Sequence, residues 1–134
     1  MTLISIMGLI AWSLLLILGL LTLRSVLVLN GKIGINQFLP DGSDINESHV
    51  RFLRALSNSL ENLPILIGVL LLAVTMQAHA VTDSLAIFIL LARMAQSICH
   101  ILSTSPLFVA VRFSFYLVQI LLAAYILLQL FLTL

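Results

Sequence analysis

The sequence predicts an all-α integral membrane protein, folded as an up-down bundle of four transmembrane helices. The first reason is composition: of 134 residues, 62% are hydrophobic and 8% are charged, against about 25% charged residues in soluble domains. The second reason is four apolar stretches that each reach the length of about 20 residues needed to cross a bilayer. Each stretch predicts a helix, because irregular backbone exposed to lipid cannot satisfy its hydrogen bonds. The near-neutral charge balance and the lack of a basic run give no indication of nucleic-acid binding.

The four spans are predicted at about residues 3–29, 49–76, 84–102 and 107–132, within a single domain of residues 1–134. The first stretch is long enough to span and lacks a basic n-region and a small-residue cleavage site, so it is interpreted as a span rather than a cleaved signal peptide. Short links around residues 77–83 and 103–106 make sequential helices antiparallel neighbours. Pro106 suits the first turn of the last helix.

The long polar loop, residues 30–48, is predicted to face the cytoplasm. It contains a Pro-Asp-Gly turn at residues 40–42. Basic residues flank this loop or lie near the third link on the same side, namely Arg24, Lys32, Arg51, Arg54 and Arg112. Because basic residues concentrate on the cytoplasmic side of membrane proteins, both chain termini are expected on the non-cytoplasmic side.

A polar stripe leads into the second span. Arg51, Arg54, Asn58 and Glu61 are spaced by three, four and three residues, which places them on one helix face. Each charge costs roughly 2.5–3.5 kcal/mol at the centre of a membrane helix. Snorkelling into the headgroups accounts for the arginines at the helix end, but Glu61 has too short a stem. The stripe therefore indicates a functional site.

A second polar set lies on the third and fourth spans. Arg93, Gln96 and His100 share a face, and Arg112 opens the last span with Tyr116 one turn further on. Taken alone, Gln96 is explained by an interhelical hydrogen bond and His100 by a core histidine. Together with several arginines, they predict one polar site in the cytoplasmic half of the bundle.

The side-chain inventory of this site favours an anionic ligand. Arginine is a permanent cation with a fork of donors that suits carboxylates, and Glu61 is the only acidic residue within the predicted spans. Glu61 and Asn58 can instead hold an ammonium or an amide, so a ligand with two carboxylates and one amine, such as glutathione, matches the set. The three histidines lie on separate elements, so no metal site is predicted, and the single cysteine, Cys99, is interpreted as a packing residue.

The second span also carries a sequence motif. The run Arg54-Ala55-x-x-Asn58-x-x-Glu61-Asn62-x-Pro64 resembles the second-helix signature of the membrane-associated proteins in eicosanoid and glutathione metabolism (MAPEG). Further matches fall in family order over nearly the whole chain: Leu23-Arg24-Ser25-Val26, the Asp41-Gly42 turn, Ala92-Arg93 and Arg112.

The resemblance implies a homotrimer with glutathione as co-substrate between neighbouring subunits, facing the cytoplasm. Arg54, Asn58 and Glu61 match positions that bind glutathione, and Arg112 matches the arginine thought to stabilise its thiolate. Among the other site positions, Arg93 and Arg24 match basic residues of the family. Asn62 stands where some members have Tyr, His100 where enzymes of the family often have Tyr, and Gln96 where several have His. Arg51 and Tyr116 are included because of the polar pattern alone.

The function implied by the resemblance is a glutathione-dependent transferase or peroxidase acting on lipophilic electrophiles or lipid hydroperoxides, with Arg112 as the catalytic residue. One alternative is a non-catalytic protein of the same fold that binds lipids or a partner. A less favoured alternative is a small transporter that uses Glu61, which vesicle uptake would reveal. We also expect Glu61 and Arg93 to share one polar network, directly or through ligand or water.

Overall fold

The computed structural model describes residues 1–40, 42 and 45–134, and these contain four α-helices and no β-strand. The helices are α1 (Thr2–Leu29), α2 (Glu47–Thr75), α3 (His79–Leu102) and α4 (Pro106–Leu132). Each is long and apolar enough to cross a membrane. The predicted all-helical architecture with four spans is therefore confirmed.

Helices α2 and α3 form the centre of the bundle. Each contacts all three other helices, whereas α1 and α4, which are described throughout, lie on opposite flanks without contacting each other. The apolar core lies toward the end of the bundle away from the long loop, where Leu9, Leu70 and Ile126 are completely buried. Ala73 and Ala86 are buried there too, and such small residues let neighbouring helix backbones approach closely.

The link between α2 and α3 is shorter than the sequence suggested. Helix α3 begins at His79 rather than near residue 84, because α2 ends in a compact Schellman motif. In this motif Ala78 N–H donates to the Ala73 carbonyl at 2.9 Å, and Gln77 N–H donates to the Val74 carbonyl at 3.1 Å. Asp83 therefore lies inside α3, which corrects the expectation that Glu61 is the only acid within a span.

Asp83 ties α3 to the start of α1. Its Oδ1 accepts hydrogen bonds from Thr2 N at 3.0 Å and from Thr2 Oγ1 at 2.7 Å. The first N–H groups of a helix have no partner within the helix, and a carboxylate is favoured at that end by the helix dipole. Asp83 thus caps a neighbouring helix.

The other helix starts follow local capping rules. Asn46 Oδ1 accepts from His49 N at 2.8 Å, so α2 begins at Glu47. Pro106 occupies the first turn of α4, as predicted. In the predicted turn at residues 40–42, Gly42 has a φ of 72°, whereas Asp41 lies outside the described residues.

Candidate functional site

The structure brings polar side chains from α2, α3 and α4 together around one pocket. This pocket has a volume of about 300 Å³. Five of its lining residues belong to the site predicted from the sequence: Asn58 from α2, Gln96 and His100 from α3, and Arg112 and Tyr116 from α4. Antiparallel neighbours place the start of α4 beside the end of α3, which is why these residues meet.

Arg112 and His100 contact each other at this pocket. Arg112 Nη1 lies 3.3 Å from His100 Nδ1, and both residues are partly buried. A guanidinium only donates hydrogen bonds, so Nδ1 is the acceptor and the imidazole hydrogen is on Nε2. The histidine thereby orients the arginine without neutralising its charge.

Arg93 lies behind the pocket rather than in it. Only 1% of its surface is exposed, and its Nη1 donates to Asn58 Oδ1 at 3.1 Å and to Gln96 Oε1 at 3.3 Å. Gln96 Nε2 also donates to Asn58 Oδ1, at 3.0 Å. Within the described part of the chain, Arg93 has no carboxylate partner, and its Nε and Nη2 have no hydrogen-bond partner.

Gln119 on α4 completes this cluster and was not predicted. It is fully buried, and its Nε2 donates to Gln96 Oε1 and to the Phe115 carbonyl, both at 2.9 Å. A signal was present in the sequence, because Gln119 lies seven residues after Arg112 and three after Tyr116. That spacing continues the same helix face.

The polar stripe on α2 divides between two neighbouring surfaces. Arg51 and Asn58 are partly buried against α3, whereas Arg54 and Glu61 are exposed on the outside of the bundle. Arg51 is engaged by protein atoms: Nε donates to the Ile101 carbonyl at 3.0 Å, and Nη2 donates to Ser48 Oγ at 2.9 Å. A cation at the last carbonyls of α3 is favoured by the helix dipole, so Arg51 secures the end of that helix.

Glu61 and Arg54 face outward at different depths. Glu61 Oε1 accepts from Ser57 Oγ at 3.0 Å, and no ion pair joins Glu61 to Arg93 among the residues that the structure describes. A link through ligand or water stays a prediction. Arg54 lines an outer groove of about 560 Å³ together with Arg51, Glu47 and Thr104. Glu47 pairs with Arg51 at 3.7 Å, so Arg54 is the cation of this groove without a carboxylate partner among the described residues.

Asn62 and Arg24 lie outside the lining of the α2–α4 pocket. Asn62 Nδ2 donates to the Asn58 carbonyl at 3.0 Å within α2. Arg24 stacks over the Phe38 ring, 5.0 Å from its centroid, a cation–π contact that holds the long loop against α1. Within a single chain, Arg24 is therefore not part of the pocket.

A larger and mostly apolar cavity lies between α1 and the start of α2. Its volume is about 660 Å³, and Gly19, Leu23, Val26, Phe52 and Ile101 are among its lining residues. None of the described residues that line this cavity is an arginine. It differs in chemistry from the polar pocket.

The fold and the site together define a class of protein: a multi-pass membrane helical bundle with an arginine-bearing polar pocket toward one end. A sequence model of the MAPEG family matches residues 3–132, nearly the whole chain, and the protein belongs to that family. The resemblance seen in the second-helix motif is thus confirmed. Comparisons with curated proteins and with solved structures gave no significant match.

Proposed function

We propose that the protein is a membrane-embedded, glutathione-dependent transferase or peroxidase for lipophilic electrophiles or lipid hydroperoxides. The observation that carries this proposal is the pocket in which Arg112, His100, Tyr116 and Asn58 converge from three helices. The MAPEG family includes transferase- and peroxidase-like members of this kind.

The donor chemistry around the pocket suits glutathione. Arg112 offers a guanidinium inside the pocket, and Arg54 offers a second one on the outer groove of α2. Arginine forks bind carboxylates through paired, charge-assisted hydrogen bonds. Glu61, exposed on the same outer side of α2 as Arg54, suits the ammonium of the γ-glutamyl group.

Arg112 would act by stabilising the thiolate. A thiol with a pKa of about 8.5 is only a few per cent ionised at neutral pH. By analogy with other acids near arginine, a guanidinium within about 4–6 Å lowers an acid's pKa by about one to three units. Arg112 forms no ion pair with a described carboxylate, so its charge is available.

The chemistry then balances without a protein nucleophile. In conjugation, the thiol proton passes to water, the thiolate sulfur forms a bond to the electrophilic carbon, and the leaving group departs with its bonding electrons. In hydroperoxide reduction, two glutathione thiols are oxidised to one disulfide while the hydroperoxide becomes an alcohol and water. In both reactions the protein positions and stabilises the anionic sulfur.

The exposed position of Glu61 supports assembly into a homotrimer in which the site lies between subunits. Glu61 is 14 residues after Glu47, which is about 21 Å along the helix at 1.5 Å per residue. A carboxylate facing lipid at that depth is costly. A neighbouring copy packed on the outer face of α2 would remove this cost.

The distribution of basic residues supports an orientation with the loop of residues 30–48 in the cytoplasm and both termini on the opposite side. Lys32 lies in this loop, and Arg24, Arg51 and Arg54 lie on the helix ends that flank it. Arg112 lies near the start of α4, at the same end of the bundle. Fusion of fluorescent or periplasmic reporters to the C-terminus tests this orientation.

The enzymatic proposal is tested on purified protein in mild detergent. Glutathione is added, and the thiolate absorbance is titrated in the ultraviolet while initial rates are measured with chlorodinitrobenzene. We expect a thiolate band below the ordinary pKa of the thiol, about 8.5, and conjugation that follows it. Absence of both signals between pH of about 6 and 9, a range that brackets this value, would refute the enzymatic proposal.

A second candidate function, non-catalytic lipid binding, is favoured by the large apolar cavity beside Gly19 and Phe52. Its chemistry suits a hydrocarbon chain, since its lining is mostly apolar. A fluorescent fatty-acyl probe that binds to protein without any glutathione-dependent activity would support this candidate over the enzyme.

A further inference from the structure

Three side-chain amides, two lining the pocket and one behind it, form a chain of hydrogen bonds with one direction. Gln119 Nε2 donates to Gln96 Oε1 at 2.9 Å, and Gln96 Nε2 donates to Asn58 Oδ1 at 3.0 Å. A carboxamide has an accepting end and a donating end. Reversing any one of these groups would therefore place two donors or two acceptors against each other.

Arg93 determines the direction of this chain of hydrogen bonds. Its guanidinium only donates, and Nη1 lies 3.1 Å from Asn58 Oδ1 and 3.3 Å from Gln96 Oε1. Both amide oxygens must therefore point toward Arg93. Because Arg93 is 1% exposed, a reversed amide would leave a buried donor without an acceptor, which is strongly unfavourable. Arginine stays protonated at every working pH, so this direction is permanent.

We propose that Arg93 and Gln119 are positioning residues that hold the Asn58 carboxamide with Nδ2 directed into the pocket. Asn58 Oδ1 already accepts from two donors, whereas Nδ2 has no hydrogen-bond partner among the residues described. Asn58 also lines the pocket beside Arg112. Asn58 thus serves the pocket as a donor only.

This orientation selects the chemistry of the bound group. With Asn58 Nδ2 and the Arg112 guanidinium both donating, the group seated between them must be an acceptor: a carbonyl, a carboxylate or a thiolate. The identity of the ligand as glutathione rests on the proposed function, whereas the direction of the amide chain is independent of it.

The direction of the hydrogen-bond chain can be measured without any ligand. In detergent-solubilised protein labelled with nitrogen-15 at Asn and Gln side chains, the NH₂ signals are assigned by loss in Asn58→Asp, Gln96→Glu and Gln119→Glu. We expect the Asn58 NH₂ to exchange with deuterated water at least about tenfold faster than those of Gln96 and Gln119, because the amide nitrogens of Gln96 and Gln119 donate hydrogen bonds to protein acceptors and that of Asn58 does not. Equal protection of all three would overturn the proposal.

Asn58→Asp is the matching functional test. The substitution keeps an oxygen for Arg93 and Gln96 and supplies Arg93 with a carboxylate, so we expect a folded protein with a melting temperature no lower than wild type. It also replaces the pocket donor by an acceptor, so we expect glutathione affinity to fall by more than about tenfold. Gln129→Glu, an amide-to-acid change on α4 outside the lining of the pocket, should leave affinity within about threefold.

Failure of Asn58→Asp to fold, or wild-type affinity in the folded variant, would each overturn the proposal. Arg93→Gln, whose amide can reverse, should lose more than about tenfold in glutathione affinity, while the donor-only Arg93→Lys should restore part of it. If Arg93→Gln does not fold, the proposal is tested by the relative exchange rates of the three NH₂ groups and by the glutathione affinity of Asn58→Asp. Wild-type protein that binds no glutathione would refute the proposed function, yet the exchange order would still test the orientation of Asn58.

Discussion

Burial and neighbours give the arginines of this protein different roles. Arg112 lines the pocket and contacts His100, Arg93 is enclosed behind Asn58, and Arg51 binds the last turn of α3. All three carry the same charge and the same donors. Only Arg112 faces the space in which a ligand thiol would sit, so it is the residue whose loss should affect chemistry most directly.

Replacing Arg112 by Ala should lower turnover far more than glutathione affinity. The guanidinium would stabilise the anionic sulfur that reacts, and a loss of one to three pKa units in that stabilisation corresponds to about ten- to a thousandfold in the acid dissociation constant of the thiol. Arg54→Ala should instead weaken binding with little change in kcat, because it would lose a carboxylate contact present before and during reaction. Thiolate absorbance and steady-state rates measure both effects.

Ser114→Ala is the control for the Arg112 variant. Ser114 is exposed on α4, and its hydroxyl donates to the Ala110 carbonyl of its own helix at 3.0 Å. Removal of this hydroxyl should leave turnover and glutathione affinity near their wild-type values. An Arg112→Ala enzyme with unchanged turnover would contradict the assigned role of Arg112.

At the scale of elements, α1 and α2 end in the same motif with different residues. In α1, Gly31 has a φ of 65°, and Lys32 N–H donates to the Leu27 carbonyl at 3.0 Å. In α2, the equivalent left-handed position is held by Gln77 at a φ of 56°. Glycine adopts this conformation without steric cost, whereas an L-residue does not.

Gln77→Gly should therefore stabilise the protein, and Gly31→Ala should destabilise it, each by about 1 kcal/mol. A Cβ at Gly31 would meet no neighbouring atom, so the loss would report backbone conformation alone. Thermal unfolding in detergent should give the highest melting temperature for Gln77→Gly, an intermediate one for wild type and the lowest for Gly31→Ala. The opposite order would show that these turns do not limit stability.

Asp83→Ala should loosen the contact between α1 and α3. The carboxylate accepts both the N–H and the hydroxyl of Thr2, and loss of a capping side chain typically costs about 0.5–2 kcal/mol. Asp83→Asn keeps an acceptor and should lose less. A melting temperature that is equally low for Asn and Ala would indicate that the negative charge, rather than hydrogen bonding, provides the stabilisation.

At the scale of the whole molecule, a single chain leaves Arg54 and Glu61 exposed on a membrane helix. We expect a homotrimer with α2 innermost, because burial of these charges between copies avoids contact with lipid. Native mass spectrometry from mild detergent should give three times the chain mass of 14.7 kDa. A monomer under those conditions would argue against a site shared between subunits.

The sequence by itself determined the number of spans, the antiparallel order and the convergence of the polar faces of α2, α3 and α4. These follow from hydropathy, short links and helical spacing, all of which are local properties. The family was also determined at this level, through the Arg54–Pro64 motif, and the match over residues 3–132 confirms it.

Tertiary structure alone decided which side of each stripe faces a neighbour. Arg51 and Arg54 are three residues apart, so their directions differ by about 60° around the helix. Because of this difference, Arg51 contacts the end of α3 whereas Arg54 is exposed. The same holds for Arg93. Its helical spacing predicted that it belongs to the site, whereas packing buries it behind Asn58. Helix periodicity indicates a direction to within tens of degrees, whereas burial and hydrogen-bond partners depend on the position of the adjacent helix.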